Sequence, residues 1–258
     1  MVTEARMVDP MPSDSRFARA FVIVAQPRSG STLLADALHQ HPRITCHDEL
    51  FTPKWVHGYR PRDEESAAVD HETLLAERNE DPEQFLLERV LHEADDQVQV
   101  GFKVVYSDIF SGDPLARFLR LFIIENRIRV IHLRRLNLLR CFISVERMSR
   151  LGIAHSHNSA PQDSSLHLKE DDFLRFVLNQ QGNSDFISRS MNVIAHPRYE
   201  HLPQGYRECI EALGVPRRPF QANLSRMSSH SLAASIADAE RWNKWDFPRS
   251  TGFAQYTD

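Results

Sequence analysis

One segment limits the possible folds more than any other. A β-branched apolar run, Phe21-Val-Ile-Val-Ala25, passes through Gln-Pro-Arg-Ser-Gly-Ser-Thr and enters Leu33, Leu34, Ala37 and Leu38, which recur at helical spacing. A strand with no polar alternation needs cover on both faces, as in a mainly parallel sheet. The turn that follows it has the make-up of an anion site. At a helix N-terminus the first N–H groups have no intrahelical partner, and the helix dipole adds partial positive charge. Gly30 admits close backbone approach, Ser29, Ser31 and Thr32 offer hydroxyls, and Arg28 offers a planar fork of charge-assisted donors. An ordinary capped turn would account for Ser29 and Gly30 but not for an arginine beside three hydroxyls.

Further strand signals lie at Val98–Tyr106 (VQVGFKVVY) and Ile128–Leu133 (IRVIHL), with another in ITCHDELF. A helical pattern follows at Leu138, Leu139, Phe142, Ile143 and Val145. Strand then helix, repeated, predicts an α/β fold with a mainly parallel central sheet flanked by helices. The 258 residues, 41% of them hydrophobic, are enough for one full core. The expected organisation is a loose polar leader over 1–16 and a single domain over 17–258. Within that domain, 60–97 carries thirteen acidic against four basic residues and reads as a helical excursion, while the polar stretch 151–167 reads as a lid loop.

Charge and cysteine content exclude several classes. With 31 basic and 35 acidic side chains, net -4, there is no global field for a nucleic-acid backbone or an anionic membrane, so an anion must be bound locally. Cys46, Cys141 and Cys209 are far apart and form no CxxC, which fits a reducing compartment. No signal-like apolar segment opens the sequence and no run of about 18 apolar residues could span a bilayer, so the expected location is the cytoplasm. The sequence prescribes no oligomeric state. The closest histidine pairs, His39 with His41 and His155 with His157, lack partners at zinc spacing, and no metal is expected.

A triphosphate-hydrolysing turn would read GxxxxGK[ST], and here Ser31 stands where that lysine belongs. PRSGSTLL instead resembles the 5′-phosphosulfate loop of sulfotransferases that use 3′-phosphoadenosine 5′-phosphosulfate (PAPS), in particular the bacterial and carbohydrate-type members. The resemblance implies a P-loop-like sulfotransferase fold with Arg28, Ser29, Gly30, Ser31, Thr32 and Leu33 around the donor. VIHLRRLNLLRCFIS resembles the family's 3′-phosphate element and implies Arg135 and Ser144 as ligands, with Arg134 serving the pattern equally well. GFKVVY, YEHL with ALGV, and TGFAQY follow in the family's order; QANLSRMSS resembles the loop over the nucleotide and implies Arg226 as a phosphate contact.

The implied reaction is sulfuryl transfer to a hydroxyl of a small molecule or glycan, carbohydrate and glycolipid being favoured by the family branch. It requires in-line placement, stabilisation of the leaving phosphate and a base. By the same resemblance Glu49 is the base, His47 its substitute and a substrate contact, and Arg28 the electrophilic residue; Lys103 on its strand is a further substrate contact. The competing readings are a phosphate-loop kinase or NTPase, which the missing GK[ST] opposes, and a PAP-binding module without catalysis, which would need no base.

Overall fold

The computed structural model describes residues 15–94, 97–151, 166–218 and 236–247. A short 3₁₀ turn, Ser15–Ala18, leads into β1, Ala20–Ala25, and the phosphate turn then opens α1, Ser31–His39. β2, Ile44–Glu49, follows. The acidic stretch contains α2 (Glu64–Ala67), α3 (His71–Glu80), α4 (Pro82–Phe85) and a π-helical turn, Leu86–Val90. Then come β3 (Gln99–Val105), α5 (Tyr106–Phe110), α6 (Pro114–Glu125), β4 (Arg129–Leu133) and α7 (Leu138–Leu151). The last elements are α8 (Glu170–Ser190), β5 (Asn192–Ala195), a 3₁₀ turn at Tyr199–His201, α9 (Leu202–Ala212) and α10 (Ala239–Trp242).

The five strands form one parallel sheet in the order β2-β3-β1-β4-β5. Alternation along β1 explains its unbroken apolar character. Val22 and Val24 enter a cluster with Phe85, Leu86, Leu119 and Ile123 on one face, whereas Phe21, Ile23 and Ala25 meet Leu34, Leu38, Tyr206 and Ile210 on the other. Every residue of β1 is buried. At about 25 cal/mol per Å² of apolar area, this two-sided burial is a main source of the sheet's stability. A third cluster joins Leu139, Phe142 and Ile143 of α7 to Phe173 of α8 and Trp242 of α10.

The acidic stretch is no bare solvated face, since Leu74, Phe85, Leu86, Val90 and Leu91 bury into the first cluster. The fully buried Arg78 donates to the carbonyls of Leu50, Thr52 and Trp55 at 2.9, 2.7 and 2.9 Å and so staples the loop after β2. YEHL, which the family resemblance implies as a late strand, is instead the 3₁₀ turn and the start of α9; the strand lies upstream in Asn192–Ala195, and Glu200 of the turn holds the segment that leads into α7 by accepting from the backbone N–H of Leu136 and Asn137, while Asn137 Oδ1 accepts from the Arg140 N–H. Among the described residues no helix is long and apolar enough to cross a membrane.

Candidate active site

In this strand order the connection after β1 runs to β2 on one side and that after β4 runs to β5 on the other, and the carboxyl ends of these adjacent strands border the crevice where open α/β sheets bind ligands. The turn after β1 occupies that place. Arg28 has φ 60° and Gly30 φ 80°, both left-handed, which curls the turn before α1 begins at Ser31. A side chain at Gly30 would put its Cβ 2.8 Å from the Tyr199 ring and 3.0 Å from Leu202, so glycine is required there on both conformational and steric grounds.

Arg28, Arg135 and Ser144 come together. Arg28 Nε donates to Ser144 Oγ at 2.9 Å, Arg135 Nη1 donates to the Arg28 carbonyl at 3.1 Å, and the Arg135 guanidinium lies over the Tyr199 ring, 4.4 Å from its centre. The backbone N–H of Arg135 is held by Gln26 Oε1 at 2.7 Å. Burial and the neighbouring Arg135 hold Arg28 below its ordinary pKa. Buried Arg135 Nε and Arg134 Nε have no hydrogen-bond partner among the described residues. Two guanidiniums adjoining at a helix N-terminus, one with an unsatisfied buried donor, suit a polyanion.

The turn's hydroxyls divide. Ser29 Oγ donates to the Gln26 carbonyl at 2.6 Å and is fully buried, so it shapes the turn and its hydroxyl proton is not offered to a ligand. Ser31 is buried at the first position of α1, and Leu33 packs against the cluster behind the helix. Thr32 Oγ1 accepts from Lys103 Nζ at 2.5 Å.

Beside the turn, the end of β2 is irregular. Cys46 pairs with Gly101 and Glu49 with Lys103, so β2 carries one extra residue over this interval. Such a bulge re-aims side chains. Asp48 and Glu49, consecutive in sequence, both reach Lys103, with Asp48 Oδ1 2.7 Å and Glu49 Oε1 3.0 Å from Nζ. Gly58, at φ 65°, sits so close behind Asp48 that a Cβ would lie 2.4 Å from the Asp48 Cβ. Arg60 Nη2 stands 3.6 Å from Asp48 Oδ2 while Nη1 holds Asp36 Oδ1 at 2.5 Å.

The two expected substrate contacts are both buried. His47 is fully enclosed: its ring stacks on Tyr59 at 5.1 Å, Nδ1 accepts the Arg60 backbone N–H at 2.9 Å, and burial pushes its pKa down to about 3. It has neither the accessible surface for an acceptor nor the basicity for a substitute base. Lys103 is 3% exposed, and its ammonium is committed to Thr32, Asp48 and Glu49. Glu49, by contrast, is half-buried, its side chain partly open to solvent.

Sequence reasoning missed Asp108. It lies on α5 just past β3, accepts the Val105 N–H at 2.9 Å, and is pushed up to about 7, first by burial and then by the Glu49 carboxylate. Its spacing of three after Val105 was the available signal. Arg226, most of 151–167 and TGFAQY lie outside the described residues.

Comparison with known proteins bears on the family. A family model described as "Sulfotransferase family" matches residues 20–161. A search of curated proteins finds no match. Among solved structures, the chain is similar to a sulfotransferase from Alicyclobacillus acidocaldarius at 16% identity and a TM-score of 0.45, covering 80% of this chain and 85% of that one. The matched interval runs from the first residue of β1 through the phosphate turn, the carboxylate pair, Lys103, Arg135 and Ser144, and on this basis the chain belongs to the sulfotransferase family.

Proposed function

We propose that the protein transfers the sulfuryl group of PAPS to a hydroxyl acceptor, with a carbohydrate or glycolipid as the favoured class. The convergence of Arg28, Arg135 and Ser144 at the head of α1 carries this reading, because a donor with phosphates at both its 5′ and 3′ ends needs two adjoining cationic contacts. The donor brings a sulfuryl group already activated as a mixed anhydride.

The residues divide the work as follows. Arg28 and the first N–H groups of α1 hold the 5′ end and offset charge on the leaving phosphate. Arg135 and Ser144 hold the 3′-phosphate, and Arg134, whose backbone is tied to Pro197 and Tyr199 at 3.1 and 2.8 Å, stands behind them. Glu49 takes the acceptor's proton, being the more accessible carboxylate of the pair at the end of β2. Donor binding uses no divalent metal. Titration calorimetry with PAP and ATP, each with and without a chelator, tests the donor. PAP should bind more tightly and without metal, and equal affinities or strict magnesium dependence would overturn the reading. Release of PAP from PAPS in the presence of a panel of glycans, glycolipids and small alcohols identifies the acceptor.

A further inference from the structure

In phosphate-binding turns of the GxxxxGK[ST] type, the final hydroxyl and a carboxylate on a neighbouring strand hold a magnesium ion. Counted from Ala25, the present turn puts Thr32 at that hydroxyl's position. The carboxylates are supplied by Asp48 and Glu49 at the end of β2. What lies among these three oxygens is Lys103 Nζ, 2.5 Å from Thr32 Oγ1, 2.7 Å from Asp48 Oδ1 and 3.0 Å from Glu49 Oε1.

We propose that the Lys103 ammonium is a tethered cation, filling the position of a divalent ion between the phosphate turn and the strand-end carboxylates and keeping such an ion out. The oxygen set, one hydroxyl and two carboxylates, is the hard set a magnesium or manganese ion would take. The side chains of Lys103 and Asp48 are 4% and 3% exposed, so the ammonium is fixed in a place water barely reaches. A second cation there would meet both its charge and its bulk. The bulge in β2 is what brings two consecutive carboxylates to one ammonium. Lys103 is thereby a positioning residue: it ties Glu49 to the phosphate turn and supplies positive charge with the chain itself.

The proposal deepens the sulfuryl-transfer reading, and only its activity test rests on that reading. Donor-free protein is titrated with Mn²⁺ while free ion is followed by electron paramagnetic resonance. Lys103→Ala should bind one Mn²⁺ at least about tenfold more tightly than the wild type, and Lys103→Ala combined with Asp48→Asn should lose it. Lys103→Met, which keeps the buried stem, takes the place of the Ala variant if circular dichroism shows that variant unfolded. Indifference of the folded variant to Mn²⁺ overturns the proposal. So does Mn²⁺ uptake by the wild type that disappears in Asp48→Asn, whatever the lysine variants do. With PAPS and an acceptor, Mg²⁺ should raise turnover of the alanine variant and leave the wild type unchanged. Mn²⁺ binding by the variant with no sulfuryl transfer by either protein would sink the transfer reading and leave the tethered cation standing.

Discussion

Arg28 Nε and Ser144 Oγ, 116 positions apart in the chain, are joined by a 2.9 Å hydrogen bond that ties the phosphate turn to α7. The groups assigned to the two ends of the donor are therefore mechanically coupled. Ser144→Ala should weaken PAP and also adenosine 5′-phosphosulfate, which has no 3′-phosphate, because Arg28 loses the contact that aims it. Arg135→Ala should weaken PAP by more than about tenfold, in keeping with ~1.5–3 kcal/mol for a hydrogen bond to a charged group, and affect the 5′-phosphosulfate less. Calorimetry with both nucleotides reads the difference. Loss confined to PAP in Ser144→Ala would show that the coupling is idle.

Glu49→Gln should leave PAPS affinity nearly intact and lower turnover by roughly 10²–10⁴, the range for removing a general base. Gln keeps an oxygen toward Lys103 but cannot take a proton. The loss should be largest for a sugar or alcohol acceptor and smaller for an acidic phenol, and initial rates across such a series check it. Full activity toward a sugar would dismiss Glu49, and the enclosed His47 would not replace it.

The phosphate turn and the parallel sheet were legible in the sequence because each is written locally: FVIVA has no polar face, and Arg28 through Thr32 are neighbours in the chain. The carboxylate end was only half legible. Glu49 was suggested by the family resemblance alone, and its tie to Lys103 depends on a β-bulge, which no periodicity announces. The burial of His47 was not legible either, since only the fold places it against Tyr59. Asp108 owes its raised pKa to burial at the start of a five-residue helix, a property of packing.

Gly30→Ala should cost about 1–3 kcal/mol, as expected for a non-glycine residue forced into left-handed backbone. Its Cβ would also press on the Tyr199 ring that backs Arg135, so PAP affinity should fall together with stability. Urea midpoints and calorimetry on one preparation measure both. Unchanged stability would mean that the turn relaxes.

Asp108 sets a pH dependence. Its folded pKa of about 7 stands above the 3.8 of an unperturbed aspartate, so the folded state holds a proton that the unfolded chain releases between these values. Its contribution to stability is full below about 4 and is lost as pH rises toward 7. Asp108→Asn retains an oxygen for the Val105 N–H and should flatten that slope, as read from urea midpoints across the interval. An unaltered slope in the variant would assign the effect elsewhere.

Cys46, Cys141 and Cys209 are free, buried thiols, and burial raises the pKa of each, that of Cys141 to about 12. A thiol reagent at neutral pH should leave the folded protein nearly untouched and modify all three after denaturation, since the thiolate is the reactive form. Rapid labelling of the native protein would contradict this packing.

The register of β1 also bears on how the chain is made. Phe21 pairs with Gly101 on one side and Arg129 on the other, so β1 lacks both of its partner strands until β3 and β4, which follow it in the chain, have been synthesised. For that interval its unpaired backbone N–H and C=O groups are open to any strand that meets them, and long-range parallel pairing is slow to close. Expression at lower temperature, or with a chaperone that shields β1 as it emerges, should therefore raise the yield of folded protein.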